Sequence, residues 1–171
     1  MLDHIMLYGA PGTKKNNAAN DLAKFLGWKF FTIDDTQYEQ NSVGSAKKIT
    51  EIFNKAKDAA PSIVFIDEAD SMFAKRRSCN NNEGISQFLR SISDTAKDRV
   101  LVIAATNRID DMDEAILRNG RFSNKIEISY ADTKGVLAVM EKYLKDKPVS
   151  NNLSLIKAAS KLSGHPLCDT K

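Results

Sequence analysis

The sequence predicts an α/β fold, a parallel sheet covered by helices on both faces, and three observations carry it. Strand-like apolar runs alternate with amphipathic helical stretches five times between residues 4 and 130. Two of those runs, 62–66 and 100–105, are almost continuously apolar, as strands buried on both faces require. Beyond Tyr130 the pattern turns purely helical, which predicts a small helical subdomain behind the sheet.

Residues 4–8 form a short apolar strand, and Gly9 opens the loop behind it. A helix is expected from about 15 to 26, with Ala18, Leu22, Phe25 and Leu26 on one face and Gly27 as its stop. Residues 29–33 read as a second strand, closed by Asp34-Asp35. Ala46, Ile49, Phe53, Ala56 and Ala60 recur at helical spacing over 44–60, and Pro61 marks the boundary beyond. The third strand, 62–66, runs into Asp67-Glu68. After a polar loop at 75–84, Ile85, Phe88, Leu89 and Ile92 mark another helix. The fourth strand, 100–105, ends at Thr106-Asn107. A short helix is expected at 112–117, and Ile126 and Ile128 alternate along a fifth strand at 125–130. Two amphipathic stripes follow: Val136, Leu137, Met140, Tyr143 and Leu144, then Leu155, Ile156, Ala159 and Leu162. The expected division is 1–131 for the sheet with its helices and 132–171 for the helical part.

Composition narrows the function classes. The 171 residues are 42% apolar and 27% charged, ordinary for a soluble globular chain. The net charge is only +3 and the basic residues are dispersed, which argues against a nucleic-acid partner. The cluster Lys75-Arg76-Arg77 reads as a solvated loop. Cys79 and Cys168 lie far apart with no zinc-type spacing, which fits reduced thiols and a cytoplasmic setting. No apolar run has the length of a membrane span, and the N-terminus has no signal-peptide pattern. His4 and His165 are isolated and are assigned no catalytic role.

In an open parallel sheet, ligands bind at the carboxyl ends of the strands. Gly9, Asp67-Glu68 and Asn107 each fall at such an end. The stretch Met6-Leu7-Tyr8-Gly9-Ala10-Pro11-Gly12-Thr13-Lys14-Lys15-Asn16 follows the layout of a phosphate-binding loop, G-x-x-x-x-G-K-[ST] between a strand and a helix. Phosphate needs backbone N–H donors, a helix N-terminus and a cation. Gly9 and Gly12 let the backbone bend, and Lys15 can supply the cation. An apolar strand delivering Asp67 suits Mg2+, which takes hard oxygen ligands and bridges phosphates. Glu68 beside it can orient and deprotonate a water. Alone, the loop is an ordinary strand-to-helix turn and the acid pair a strand-end cap; together, about fifty residues apart, they are far more specific.

With these motifs in place the sequence resembles the AAA ATPases over nearly its whole length. Residues 6–16 look like Walker A, and 59–70 like a very complete Walker B. Ala104-Ala105-Thr106-Asn107-Arg108 looks like sensor 1, and 111–122 like the family's second region of homology. The resemblance implies a three-layer P-loop NTPase core with sheet order 5-1-4-3-2, followed by a partial helical lid. It implies ATP and Mg2+ as ligands, held by Gly9, Ala10, Pro11, Gly12, Thr13, Lys14, Lys15, Asn16 and Asp67, with Lys15 on the β- and γ-phosphates and Asp67 holding the metal through its waters. Glu68 would activate the water, with Asn107 between it and the phosphates. Arg118 and Arg121 would act as arginine fingers on a neighbouring subunit's site, which implies a homohexameric ring. The implied activity is ATP hydrolysis coupled to remodelling of a protein client. The alternative is a hydrolysis-deficient scaffold subunit or an inactive fragment.

The sequence departs from the family pattern at several points. Lys14 stands where the second loop glycine belongs, and Asn16 replaces the metal-ligating hydroxyl. Both predict weakened nucleotide binding and slowed hydrolysis. At the pore-loop position, Asn41-Ser42-Val43-Gly44 has no aromatic residue, and Tyr38 is out of register. Only residues 1–3 precede the first strand, and Ser163-Gly164-His165-Pro166-Leu167 falls where a third lid helix would begin. No H-E-x-x-H motif occurs among the 171 residues.

Overall fold

Strands β1 (Ile5–Tyr8), β2 (Lys29–Ile33), β3 (Ser62–Ile66), β4 (Val100–Thr106) and β5 (Asn124–Glu127) pair in the order β2-β3-β4-β1-β5, all parallel. That is the expected order. It comes from a computed structural model, which describes residues 4–33, 43–73, 88–89, 91–92, 95, 97–117, 121–145 and 154–165. Helices α1 (Lys15–Leu26), α2 (Val43–Asp58) and α3 (Ala69–Phe73) lie between the strands, and α4 (Thr133–Leu144) and α5 (Leu155–Leu162) follow them.

Every residue of β3 and β4 is buried. Alternation along the strands explains why. Val64, Ile66, Val100, Val102 and Ala104 point into one core with Ile49, Phe53 and Ala56 of α2. Ile63, Phe65, Leu101 and Ile103 occupy the opposite face and are equally buried. Phe88 fills the first core, its ring centroid 4.6 Å from Phe73 and 5.8 Å from Phe53. Phe88 and Ile92 are buried in helical backbone as expected, while Ile85 lies outside the described residues.

The amino end of the sheet carries a polar tie. His4 is buried. Its Nδ1 accepts the Val102 N–H at 3.3 Å, and its Nε2 donates to the Ile92 carbonyl at 3.3 Å. These partners fix the neutral tautomer protonated at Nε2. The ring joins β4 to the helical backbone at Ile92, a packing role that an isolated histidine in the sequence does not announce.

Three local expectations are corrected. The buried stripe of α1 is Lys15, Ala19 and Ala23, not the larger apolar set. Phe25 is 87% exposed, Ala18 and Leu26 are exposed, and Leu22 is half-buried. Lys15 opens the helix and is itself buried, so the residues at i+4 and i+8 from it must face the sheet, whatever their size. Next, 112–117 is not a helix. A 3-10 turn at Ile109–Asp111 leads into further turns, with Ile116 N bonded to Asp113 O at 2.9 Å and Leu117 N to Glu114 O at 3.1 Å. The Asp113 carboxylate accepts the Ala115 N–H at 2.8 Å, a side-chain bond that competes with helix propagation. Lastly, β5 stops at Glu127 and all four of its residues are exposed, Ile126 included. Among the described residues it pairs with β1 alone, as an edge strand, and neither face of it is buried.

The chain forms two compact units. One comprises residues 1–9 with 15–127, the other 10–14 with 128–171. In the second unit, α4 is capped by Asp132, which accepts the Gly135 N–H at 2.8 Å, and α5 by Ser154. Among the described residues, Val136 and Ala159 are its buried apolar positions; Tyr143, Ile156 and Leu162 of the predicted stripes are exposed.

The α1 geometry gives a stability test. Phe25→Ser is expected to leave the urea midpoint of unfolding within the range of a roughly 0.5 kcal/mol change. Ala19→Leu overpacks the helix–sheet contact and is expected to cost about 1–3 kcal/mol.

Candidate functional site

The sheet register sets the site. Tyr8 pairs with Thr106, and Ile66 pairs with Ala104, so β1, β4 and β3 deliver Gly9, Asn107 and Asp67 from neighbouring strand ends. The strand bearing Asn107 lies between the loop strand and the Asp67 strand, as the family order implies. Asp67 N bonds to Ile33 O at 3.0 Å, which carries the β2–β3 ladder one residue past Ile66.

The loop between β1 and α1 is built on positive φ angles: 147° at Gly9, 80° at Gly12 and 61° at Lys14. Glycine accepts such angles freely; lysine pays for them through its Cβ. Lys14 therefore occupies a left-handed backbone position, the conformation for which a glycine is suited. Thr13 Oγ1 donates to Ala10 O at 2.9 Å, which closes the loop on itself. Asn16, in the first turn of α1, is exposed.

Lys15 is buried, and its Nζ donates to Gly9 O at 2.9 Å. Burial lowers its pKa from the ordinary 10.5, and the nearby carboxylates of Asp67 and then Asp70 oppose that shift. An ammonium held in a dry position beside acids is poised for a polyanion, because phosphate can supply the charge that the site does not fully provide.

Asp67 is half-buried and Glu68 exposed. Glu68 has φ of 48°, a left-handed backbone for a non-glycine residue. Local bonds hold it there. Its N–H donates to Asp67 Oδ1 at 3.0 Å, and its carbonyl accepts the Ser71 N–H at 2.9 Å and the Ser71 hydroxyl at 2.8 Å. The turn thus presents the Glu68 carboxyl outward at the rim while its backbone is pinned. Asn107 is exposed at the end of β4. Arg118 lies outside the described residues. Arg121 is half-buried, and its guanidinium donates to the Ala115 carbonyl of its own chain.

The donor set suits Mg2+ in one respect. In nucleotide sites this ion takes one or two protein carboxylates, keeps waters and binds phosphate oxygens. A half-buried Asp67 at a strand end suits that demand. No cluster of three or more His, Cys, Asp or Glu able to hold a metal occurs among the described residues. The fit is to a phosphate-bound ion.

Two residues that the motifs do not single out belong to this rim. Thr106 is buried, its hydroxyl donates to Asp70 Oδ1 at 2.9 Å, and its oxygen accepts the Arg108 N–H at 2.9 Å. Sequence holds one signal for them: both lie inside the stretches that carry the acid pair and Asn107.

A parallel sheet in this order, with a glycine-bearing loop from β1, between β4 and β5, into a buried lysine, defines a P-loop α/β protein. Residues 5–130 match the family model "ATPase family associated with various cellular activities (AAA)", and the chain belongs to this family. It is 38% identical over 168 residues to the ATP-dependent zinc metalloprotease FtsH of Mycoplasma pneumoniae, covering 94% of this chain and 24% of that protein. It is 38% identical over 165 residues to FtsH 2 of a Thermoanaerobacter species, covering 94% of this chain and 32% of that protein. It is also 37% identical over 170 residues to Protein SAV of Sulfolobus acidocaldarius, with 96% and 22% covered. The chain thus spans about a fifth to a third of the length of the metalloproteases it matches.

Lys14→Gly is expected to raise the stability of the fold by roughly 1 kcal/mol, read by urea denaturation; an unchanged or lower midpoint contradicts the strain at that φ. Lys15 gives a pH signature. Its folded pKa lies below 10.5, so between the two values the unfolded chain binds more protons and stability rises with pH. Relative to Lys15→Met, the wild type is expected to gain stability as pH climbs through that alkaline window and to show no such slope below it.

Proposed function

We propose that this chain is the ATP-binding core of a AAA ATPase, with residues 1–131 as the nucleotide-binding domain and 132–171 as part of its helical lid. The observation that carries the reading is the delivery of Gly9, Asn107 and Asp67-Glu68 from three adjacent parallel strand ends, beside a buried Lys15.

In this reading the loop from Gly9 to Asn16 binds the phosphates through backbone N–H groups and the Lys15 ammonium. Asp67, assisted by the Asn16 amide oxygen, holds Mg2+, which when bound offsets phosphate charge. Glu68 takes a proton from the attacking water, and Asn107 orients that water. Arg118 and Arg121 reach a neighbouring subunit in a homohexameric ring and stabilise charge on the transferred phosphoryl group. For Arg121 this requires release of the Ala115 carbonyl it holds within its own chain. The work done is remodelling of a protein client, in the cytoplasm; the involvement of ATP and of a protein client is supported by relatives named ATP-dependent zinc metalloproteases.

One observation favours a second reading, a subunit that keeps the fold and assembles but turns over slowly. Lys14 bears its side chain at φ 61°, and Asn16 offers an amide in place of a hydroxyl. Steady-state phosphate release separates the two. The active reading expects Mg-ATP turnover that Glu68→Gln lowers by about 10²-fold or more. The second expects little turnover in the wild type and a clear rise in Lys14→Gly/Asn16→Thr. Silence in both proteins would sink the ATPase reading.

A further inference from the structure

The end of β4 is wired to the start of α3 through a buried hydroxyl. Thr106 closes β4 and is 1% exposed. Its single proton goes to Asp70 Oδ1 at 2.9 Å, and its oxygen accepts the Arg108 N–H at 2.9 Å. The hydroxyl's donor is committed and its oxygen is engaged. The bond back from residue i+2 makes a local turn whose middle residue is Asn107. Asp70 stands in the first turn of α3, directly after the Asp67-Glu68 strand end. Its charge also acts on Lys15, second only to that of Asp67. One carboxylate therefore bears on the lysine, on the element that follows Glu68, and on the turn that carries Asn107.

We propose that Asp70 and Thr106 are positioning residues, which fix Asn107 relative to Glu68 so that one water is held for attack. This rests on the ATPase reading above. Neither residue touches substrate. Neighbouring strands already fix the Cα positions, but the direction of an exposed side chain one residue past a strand end is not set by the ladder. The Thr106 hydroxyl sets it by fixing the Arg108 N–H and anchoring the turn to Asp70. A valine has the same shape without the hydroxyl and leaves both partners unbonded, whereas serine keeps both bonds.

The test is phosphate release as a function of Mg-ATP concentration for Thr106→Val, Thr106→Ser and Asp70→Asn. Each is measured in the wild type and in the Lys14→Gly/Asn16→Thr protein, with thermal melts to verify folding. The expected result is a kcat lowered about 10- to 100-fold in Thr106→Val with KM within about twofold, and near-full recovery in Thr106→Ser. Asp70→Asn still offers an oxygen to Thr106 and is expected to fall between them. A folded Thr106→Val with unchanged kcat overturns the proposal while leaving the ATPase reading intact. So does a rise in KM with kcat constant, or a Thr106→Ser as slow as Thr106→Val. If Thr106→Val does not fold, the comparison of Thr106→Ser with Asp70→Asn decides: a kcat in Asp70→Asn clearly below that of Thr106→Ser supports the hydroxyl–carboxylate bond as the positioning contact, and a normal kcat in Asp70→Asn, or an equal loss in Thr106→Ser, overturns it. No phosphate release in either parent background ends the ATPase reading and this proposal with it.

Discussion

The chemistry of this chain depends on the fact that β3 and β4 have no side facing water. With helices or core on both faces, every residue of those strands must be apolar or fully bonded, and the polar exceptions obey that rule. Ser62 donates to Ala56 O at 2.7 Å, and Thr106 is bonded to Asp70 and to Arg108 N–H. Polar side chains free to face outward are thereby pushed to the first residues beyond the strands. A parallel sheet places those ends on one rim, so Gly9, Asp67-Glu68 and Asn107 converge without any long-range polar contact having to bring them together.

Two of the three non-glycine residues with left-handed backbone among the described residues lie on the same rim; the third, Arg99, precedes β4. Glu68 and Lys14 both hold left-handed backbone angles, each costing on the order of 1–3 kcal/mol. The two are not alike. At Glu68 the turn is secured by Asp67 and Ser71, and the strained backbone projects a carboxyl from a fixed base. At Lys14 the same angle falls in a loop whose pattern calls for glycine, so the side chain is carried against the local conformational preference. Lys15 adds a third unfavourable term, a desolvated ammonium only partly offset by Asp67 and Asp70.

The sequence alone determined the fold class and where β1 to β4 end, though not where β5 does. Uniformly apolar runs leave a strand no choice but the interior, and the family motifs set the sheet order. It also determined which residues stand at the strand ends, because position along a strand is a matter of counting. Tertiary structure decided three things that counting does not reach. The phase of α1 follows the buried Lys15 rather than the apolar stripe, which leaves Phe25 in water. The 112–117 stretch yields its helix to the Asp113 side chain. Finally, Asp70, Thr106 and His4 gained their partners across 36, 36 and 88 or more residues of chain, through bonds whose geometry exists only once the strands are side by side. Local pattern encodes burial because burial is a property of each segment's own surface; it does not encode which buried polar atom will meet which, because that depends on register between segments distant in the chain.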